Sequence, residues 1–327
     1  MQKAYLVTGG TGFLGSALVM RLVRDGHRVR VLDNNSRGKT ERLKEIDGDF
    51  EFLEADIRDA DKVRKACQGV DSVCHLAYIN GTDFFYSIPE LVLEIAVAGM
   101  LNVVNGCINA GVGELILASS SEVYQTPSMV PTDETVPLSV PDPLNPRYSY
   151  GGGKIISELL AINYGRKYFQ RVLIFRPHNV YGPDMGWEHV IPQFVLRMKE
   201  LCQQAEDPLP FPIQGSGKET RAFVYIDDFT DGLALTMEKG EHLGIYNIGT
   251  LEEITVDQVA EETARYFGRQ ITIVPGKLQA GGTPRRCPDI TKISGFGYTP
   301  KVPFQQGLPK AAQWYDKNSH LQPKKGI

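Results

Sequence analysis

Tyr150 and Lys154 are the pair of side chains in this sequence best suited to acid–base chemistry, because they are four residues apart. If the segment is helical, residues i and i+4 share a face and these side chains lie close together. A nearby lysine cation lowers the pKa of a phenol, which can then take a proton from an alcohol while hydride leaves the same carbon. The three glycines between them, Gly151–Gly153, indicate either close approach of a ligand or a looser helix start.

A run of serines, Ser119–Ser121, follows a predicted strand and precedes Glu122. Ligands of parallel sheets bind at the carboxyl ends of the strands, so a hydroxyl here can bond a reacting oxygen and relay its proton to Tyr150. A plain turn is the alternative interpretation of the same serines.

Gly9, Gly12 and Gly15 have the spacing G-x-x-G-x-x-G between a predicted strand and a predicted helix. This arrangement allows a tight turn, close approach of the backbone to a pyrophosphate, and phosphate binding at the positive end of the helix. Asp33, at the end of the second strand, can accept hydrogen bonds from both adenosine ribose hydroxyls and would repel a 2′-phosphate. These features predict NAD rather than NADP; nearby Arg37 is either a 2′-phosphate ligand or a solvated loop residue.

Asp56 and Ile57 end the third predicted strand, where they are placed to meet the adenine. An equally good interpretation of Asp56 is a cap on a helix that begins near Asp59.

Short apolar strands alternate with amphipathic helices along the first half of the chain, which predicts an α/β fold with a doubly wound, Rossmann-like parallel sheet. The predicted strands are Ala4–Thr8, Val29–Leu32, Phe50–Ala55, Ser72–Leu76, Leu115–Ser119 and Val172–Phe175. The predicted helices are Phe13–Arg24, Asp59–Cys67, Leu91–Ala110 and Tyr150–Tyr168.

After Arg176 frequent prolines break this pattern and indicate a smaller, interleaved substrate-binding lobe. Ala222–Ile226 and Ile245–Ile248 are predicted as strands that return to the main sheet. The sequence therefore predicts a nucleotide-binding domain of residues 1–175 plus about 222–248, and a lobe of residues 176–221 plus 249–327.

Composition excludes several classes of protein. A net charge of −4 gives no electrostatic reason to expect nucleic acid. The five cysteines are widely spaced without a C-x-x-C pair, which favours buried free thiols over a disulfide framework or a metal site. We find no apolar run near the roughly 20 residues of a membrane span and no secretory signal, and we expect a cytoplasmic protein that binds no membrane.

The order of these motifs resembles the extended short-chain dehydrogenases, which include NAD-dependent nucleotide-sugar epimerases, 4,6-dehydratases and decarboxylases. Further stretches carry the same resemblance: His75–Ala77, Arg176–Pro183, Thr220–Tyr225 and Arg285–Ile290. The resemblance implies that Ser120 is the catalytic hydroxyl, Tyr150 the base, and Lys154 its partner and a ribose ligand.

The resemblance also implies the ligands of NAD and of a nucleotide diphosphate sugar. The NAD site would comprise Gly9, Gly12, Phe13, Leu14, Gly15, Asp33, Asn34, Asp56, Ile57, Leu76, Ala77, Tyr150, Lys154 and Pro177. The substrate site would comprise Ser121, Asn179, Arg221 and Arg286, in which the arginines suit a diphosphate through bidentate bonds. The helices near Leu91–Ala110 and Tyr150–Tyr168 resemble those that form homodimer interfaces in the family.

Three features depart from the family pattern. Ala96 stands where an asparagine is common, Gln125 stands where a glycine is usual, and Gly151–Gly153 are atypical. These positions surround the expected sugar and nicotinamide, so the details of substrate binding are expected to differ.

Glu122 bears on the reaction that follows oxidation of the sugar at C4. A carboxylate near C5 permits loss of the C6 hydroxyl as water, and Glu122 occupies the position of a glutamate in the dehydratases and decarboxylases that this segment resembles. The sequence therefore narrowly favours a 4,6-dehydratase, with 4-epimerisation second and decarboxylation of a uronic acid third; a surface glutamate is the structural alternative. A simple ketone reductase and a non-catalytic NAD binder are more distant alternatives.

Overall fold

Seven parallel strands form the central sheet of the protein, whose computed structural model describes residues 2–44, 46, 48, 50–277 and 281–323. The strands of this sheet are β1 (Ala4–Thr8), β2 (Arg28–Asp33), β3 (Phe50–Glu54), β4 (Ser72–His75), β5 (Glu114–Ala118), β6 (Arg171–Pro177) and β11 (Gly244–Ile248). Their order across the sheet is β11-β6-β5-β4-β1-β2-β3. The order reverses between β1 and β4, which is where ligands of such sheets bind.

Short strands outside this sheet pair with one another. They are β7 (Val180–Tyr181), β8 (Leu209–Pro212), β9 (Thr220–Ala222), β10 (Val224–Tyr225), β12 (Glu253–Thr255), β13 (Ile271–Val274) and β14 (Arg285–Arg286). Strand β10 pairs with β7, β13 pairs with β8, and β9 lies between β12 and β14.

The helices of the described residues cover both faces of the sheet and the second lobe. They are α1 (Phe13–Arg24), α2 (Ala60–Ala66), α3 (Thr82–Ser87), α4 (Pro89–Glu94), α5 (Met100–Ala110), α6 (Tyr148–Tyr168), α7 (Val190–Leu201), α8 (Ile226–Lys239), α9 (Val256–Tyr266), α10 (Thr291–Ser294) and α11 (Phe304–Lys317). A π-helical turn, Ile95–Gly99, joins α4 to α5. Local signals explain several ends: Asp59 caps α2, Thr255 and Gln258 form a capping box on α9, and Gly111 ends α5 in the left-handed conformation.

Two apolar layers cover the sheet because successive side chains of a strand point to opposite faces. Leu6 of β1 packs in the layer that contains α2, α5 and α6, while its neighbour Val7 packs in the layer that contains α1, α8 and much of the second lobe. All five cysteines lie within the described residues and are free thiols, and Cys202 is the one that is half-buried rather than buried.

The predicted α/β fold with a doubly wound parallel sheet is confirmed, and the six strands predicted for its first half agree with the structure to within two residues at each end. Ile245–Ile248 returns to the main sheet as β11, which pairs with β6. The prediction for Ala222–Ile226 is wrong. This segment divides into the end of β9 and the strand β10, which pair with other strands of the lobe, and Ile226 begins α8.

The segment Pro89–Ala110 corrects the statement about apolar runs, because this 22-residue stretch of helix is long and apolar enough to cross a membrane. Half of its most apolar window is buried inside the domain, where it packs against α2 and α6. That packing is typical of a core helix in a water-soluble domain.

Candidate active site

The turn from β1 to α1 has the close backbone contacts that its glycines predicted. Gly9 has a φ of +74°, and a Cβ placed on it would lie 2.6 Å from the backbone nitrogen of Ala77. A Cβ on Gly15 would lie 2.0 Å from the Gly9 carbonyl oxygen, so only glycine lets the helix approach the strand this closely. Gly12 precedes the first turn of α1, whose N–H groups have no partner within the helix.

One continuous cavity of about 390 Å³ begins at this turn and ends at the serine segment. Its walls contain all fourteen residues that the sequence analysis assigned to NAD. They also contain Ser120, Ser121, Glu122, Asn179 and Arg286 from the predicted catalytic and substrate sites. The structure thus brings the two predicted sites into one space, although Arg221 is not part of its wall.

Asp33 is buried at the far end of the cavity and is held by the backbone. Its carboxylate oxygens accept hydrogen bonds from the backbone nitrogens of Thr11 at 3.0 Å and Asn35 at 2.9 Å. A carboxylate has about four acceptor positions, so these bonds leave capacity for ribose hydroxyls.

Asp56 does not cap α2, because Asp59 fills that position by accepting a bond from the Lys62 backbone nitrogen at 3.1 Å. Asp56 instead accepts hydrogen bonds from Arg58 and from the Asn34 amide, at 2.9 Å in each case. The bond from Arg58 is the main reason that the pKa of Asp56 is lowered. Its carboxylate therefore stays ionised at the cavity wall.

Arg37 is neither solvated nor free to bind a 2′-phosphate. Its guanidinium lies 4.4 Å from the centroid of the Phe84 ring and pairs with Glu188 at 3.0 Å. These two contacts already engage the guanidinium, which removes the sequence argument for NADP.

Ser120 and Tyr150 face each other across the cavity end of α6. The Ser120 hydroxyl caps a short 3₁₀ turn by accepting a hydrogen bond from the Glu122 backbone nitrogen at 3.1 Å. Burial raises the pKa of Tyr150 to about 12, against the opposing effect of its hydrogen bond with Ser120. Burial is therefore the largest effect on the pKa of Tyr150, and the lowering of this pKa by Lys154 stays a prediction.

The Lys154 ammonium donates a hydrogen bond to the Ala118 carbonyl oxygen at 2.7 Å and lies 3.8 Å from the centroid of the Tyr78 ring. Its distance to the centroid of the Tyr150 ring is 5.9 Å. Burial lowers the pKa of Lys154 to about 7, and the charge of Glu158 opposes that shift. Lys154 is therefore a buried cation whose charge depends on its immediate neighbours.

Glu122 is not a surface glutamate, because it forms an ion pair with Arg286 at 2.6 Å inside the cavity wall. Burial alone would raise the pKa of Glu122, but the charges of Arg286, Arg147 and Arg221 outweigh it and lower that pKa. Among the described residues that line this end of the cavity, Glu122 is the sole carboxylate.

Arg221 and Arg286 are cross-strand neighbours in β9 and β14. Burial and the charge of Arg286 lower the pKa of Arg221 to about 10, and Arg147 contributes in the same direction. With Glu122 these residues form a cluster of three arginines and one carboxylate, which we call the arginine cluster. Its excess positive charge suits a ligand with two or more negative charges.

Asn179 has a strained backbone, with a φ of +43°, and lies on the cavity wall. Its Oδ1 is buried and has no hydrogen-bond partner among the described residues. A buried acceptor without a donor is costly, so this atom is suited to a ligand that donates to it.

The atypical glycines are part of the helix α6, so the looser helix start is excluded. A Cβ on Gly151 would lie 2.3 Å from the Gln125 amide nitrogen. A Cβ on Gly153 would lie 2.3 Å from the Tyr78 hydroxyl and 2.7 Å from the Ala96 Cβ. The residues that depart from the family pattern are therefore neighbours in space. Gly151 makes room for Gln125, and Gly153 makes room for Tyr78 and Ala96.

Sequence reasoning missed Tyr78, Phe85 and Arg147. Tyr78 directly follows the predicted cofactor residues after β4, and Arg147 lies one helical turn before Tyr150, so their positions were the available signals. Phe85 comes from α3, and its ring stacks on Tyr150 with 4.7 Å between centroids. A single aromatic residue in a loop or short helix carries no pattern that would reveal this contact.

Comparison with known proteins finds one family along most of the chain. The family model described as "NAD dependent epimerase/dehydratase family" matches residues 5–249. The chain is 31% identical over 327 residues to the UDP-N-acetyl-alpha-D-glucosaminuronate decarboxylase of Bacillus cytotoxicus, with 96% of this chain and 98% of that protein covered.

Solved structures of two further enzymes have the same fold. A dTDP-glucose 4,6-dehydratase from Streptomyces venezuelae, solved with NAD bound, is 30% identical with a TM-score of 0.86, and the match covers 97% of this chain and 98% of that one. The UDP-glucose 4-epimerase of Thermus thermophilus, also solved with NAD, is 29% identical with a TM-score of 0.83, over 95% of this chain and 98% of that one. These three relatives carry out three different reactions on one fold.

Proposed function

Because the chain belongs to the NAD dependent epimerase/dehydratase family, we propose that it decarboxylates a nucleotide-linked uronic acid through a 4-keto intermediate. The observation that carries this proposal is the arginine cluster, in which Arg286 holds Glu122 as a carboxylate next to Ser120 and Tyr150. The decarboxylase relative, similar over 98% of its own length, supports the same choice.

The residues of the cavity fit NAD. The glycine turn lines the cavity at the start of α1, whose N–H groups suit a pyrophosphate, and Asp33 retains acceptor capacity for the adenosine ribose. NAD bound by these residues would supply the hydride acceptor for C4 of the sugar and the hydride donor that restores the alcohol. Arg37 is already paired with Glu188, so its guanidinium does not favour a 2′-phosphate.

Tyr150 and Ser120 handle the proton of the sugar's 4-hydroxyl. Tyr150 acts as the general base and accepts this proton, either directly or by way of the Ser120 hydroxyl. It returns the proton at the end of the cycle. Lys154 supplies a positive charge within the same buried space, which stabilises the phenolate while it exists.

The 4-ketone makes the C6 carboxylate a β-keto acid, so carbon dioxide leaves without a base at C5. The C5–C6 bond breaks and its electron pair moves to the C4 carbonyl oxygen, which gives an enolate. C5 then takes up one proton from water in place of the carboxyl group, and the 4-ketone is restored. The arginine cluster's role is to bind the substrate anions and hold the carboxylate out of the ring plane, where bond cleavage is fastest.

Dehydration is the second candidate, and Glu122 is the observation that favours it. An ionised Glu122 could remove the C5 proton, but the departing C6 hydroxyl also needs a proton donor. The ion pair with Arg286 and the lowered pKa of Glu122 make this side chain a poor acid. We therefore propose decarboxylation in preference to dehydration, which the sequence narrowly favours. Epimerisation needs no carboxylate and is the third candidate.

Mass spectrometry of the purified protein with nucleotide sugars tests the proposal. The panel comprises UDP-, dTDP-, GDP-, CDP- and ADP-sugars, each as the neutral hexose and, where it can be made, as the uronic acid. We expect loss of carbon dioxide from one uronic acid and unchanged mass for the neutral sugars. Loss of water from a neutral sugar would instead identify a dehydratase. A new stereoisomer of unchanged mass would identify an epimerase.

The working form in this proposal is a cytoplasmic homodimer. Free cysteines agree with a reducing compartment. Large apolar side chains are exposed on neighbouring helices, namely Leu93 on α4 and Ile156 and Leu159 on α6. A second copy packed on this face would bury them.

A further inference from the structure

The phenol ring of Tyr78 lies between the two side chains that the proposed reaction uses most directly. Its face is 3.8 Å from Lys154 Nζ, measured to the ring centroid. It meets the Tyr150 ring edge-on, with 5.1 Å between centroids and 88° between planes. Tyr78 also lines the cavity.

We infer that Tyr78 is a positioning residue of this active site. The ring seats the Lys154 ammonium, and its contact with Tyr150 fixes the orientation of the base. The inference rests on the proposed function through the roles of Tyr150 and Lys154.

The physical basis is the charge distribution of an aromatic ring. The negative face of the ring attracts a cation most strongly where water is excluded, and its positive edge suits the face of a second ring. Lys154 is 3% exposed, so few other groups can stabilise its charge. The Tyr78 face and the Ala118 carbonyl oxygen, which accepts its hydrogen bond, together replace water around the ammonium.

Gly153 and Ala96 provide the space that Tyr78 occupies. Any side chain at Gly153 would lie within 2.3 Å of the Tyr78 hydroxyl, and Ala96 approaches the same point from the π-helical turn. The Ser157 hydroxyl ties the two backbones together, lying 3.1 Å from the Ala96 carbonyl oxygen and 3.0 Å from that of Gly153. A large residue at 78 thus requires small residues at 96 and 153, which gives two atypical positions of the sequence a common cause.

The charge of Lys154 also depends on titratable groups from the elements packed around it. Tyr150 and Glu158 lie on its own helix, and Glu158 is paired with Arg176 at 2.6 Å. His75 on β4 is the group on the sheet side, and burial lowers its pKa to about 3, which keeps it neutral. His75 is neutral and Glu158 is already paired, so removal of the Tyr78 ring changes the surroundings of Lys154 mainly by removing the contact between the ring face and the ammonium.

The decisive experiment measures the pKa of Lys154 in the full-length protein by NMR of lysine labelled with 15N at Nζ. The signal is assigned by its loss in Lys154→Met. We expect Tyr78→Leu to lower this pKa by about one unit, because it keeps bulk and removes the ring. Tyr78→Phe is the matched control, since it keeps the ring and removes the hydroxyl, and should leave the pKa within a few tenths of a unit. An unchanged pKa in Tyr78→Leu would overturn the inference.

Turnover provides the second readout wherever a substrate has been found. Tyr78→Leu should lower kcat roughly tenfold at alkaline pH, move the alkaline limb of the rate profile to lower pH, and leave KM within about twofold. The NMR titration needs no substrate, so it tests Tyr78 even if the wild-type protein decarboxylates nothing. Failure of the proposed function and failure of this inference are therefore separate results.

Thermal unfolding tests the steric part of the inference. Gly153→Ala should lower Tm by at least about 4 °C, and by clearly less in the Tyr78→Phe background, which lacks the clashing oxygen. Gly152→Ala is the control, because the nearest atom to its Cβ, Val140 Cγ2, is 3.4 Å away. Equal losses at 152 and 153 would show that Gly153 makes no room for Tyr78.

Discussion

The ion pair between Arg286 and Glu122 puts both signs of charge next to Ser120 and Tyr150, the residues proposed to act on C4. Because Arg286, Arg147 and Arg221 keep Glu122 ionised, the carboxylate balances one of the three cations and leaves a net positive charge at this end of the cavity. This balance favours a sugar that carries a carboxylate in addition to the diphosphate over a neutral sugar.

Replacement of Arg286 tests this role directly. Arg286→Gln should lower kcat/KM for the uronic acid by roughly 100-fold or more, since a charge-assisted bond to the substrate is lost and Glu122 is left without its main partner. Arg285→Gln is the matched control on the same strand. Arg285 is 52% exposed and pairs with Glu253 at the surface, so its loss should change kcat/KM by less than about twofold. Similar losses in both variants would remove Arg286 from the substrate site.

The burial of Lys154 predicts that the stability of the protein depends on pH. Its folded pKa of about 7 is below the usual 10.5, so the unfolded chain binds the extra proton between these values. The buried lysine therefore lowers the free energy of unfolding by its full amount below about pH 7, and this destabilisation disappears as the pH rises towards 10.5. Lys154→Met should therefore gain in Tm relative to the wild type at pH 7, and this difference should shrink by pH 10, as measured by calorimetry. A difference that does not change with pH would contradict the burial argument.

Some of these side chains could be predicted from the sequence and others could not, for a physical reason. Ser120, Tyr150 and Lys154 have spacings that follow from a strand end and a helical turn, so a pattern places them. Tyr78 contacts Tyr150 and Lys154 of α6, and Arg147 lies near Glu122 and Arg221. Such contacts join separate elements and form only when the chain has folded, so no local pattern shows them.

At the scale of elements, a buried ion pair ties α6 to the sheet beneath the active site. Arg176 at the end of β6 makes two bonds to Glu158 of α6, at 2.8 and 2.6 Å, and a third to the Tyr124 hydroxyl at 2.7 Å. The Ser119 hydroxyl donates to the same glutamate, next to Ser120. This network holds the serine segment and α6 in one arrangement.

Removal of Arg176 should therefore be costly. Arg176→Met leaves Glu158 buried without its partner and should lower the free energy of unfolding by about 3–5 kcal/mol, measured with urea. Arg265→Met, which breaks an exposed pair with Glu262, should cost less than about 1 kcal/mol. A small loss for Arg176→Met would mean that water reaches Glu158 and that the network does not fix the site.

The elements themselves differ in how well the sequence predicts them. The strands β1, β4, β5 and β6 are buried on both faces because helices cover the sheet, and such short apolar runs are typical of a parallel sheet. Strands of two or three residues, such as β9 and β10, have too few positions to show which sheet they join. For this reason the pattern of Ala222–Ile226 indicates extended chain but not the strands with which it pairs.

At the scale of the whole molecule, the exposed apolar side chains of α4 and α6 predict a dimer. Leu159 is 54% exposed, the largest exposure of the three side chains, so Leu159→Arg should place charge in the interface and yield monomers by light scattering after gel filtration. Leu144→Arg is the control, because Leu144 is 91% exposed but lies in the loop before α6. A wild-type protein of monomer mass would contradict the proposed assembly.

In the proposed reaction, the 4-keto sugar loses C6 as carbon dioxide. The most direct measurement follows a nucleotide-linked uronic acid labelled with 13C at C6 alone, incubated with the protein and NAD in a sealed tube. We predict that the label appears as carbon dioxide and bicarbonate, that the sugar product is an unlabelled pentose, and that Tyr150→Phe abolishes both. Retention of the label in a sugar that has lost water or changed configuration would contradict decarboxylation and assign the chain to one of the other two reactions of its family.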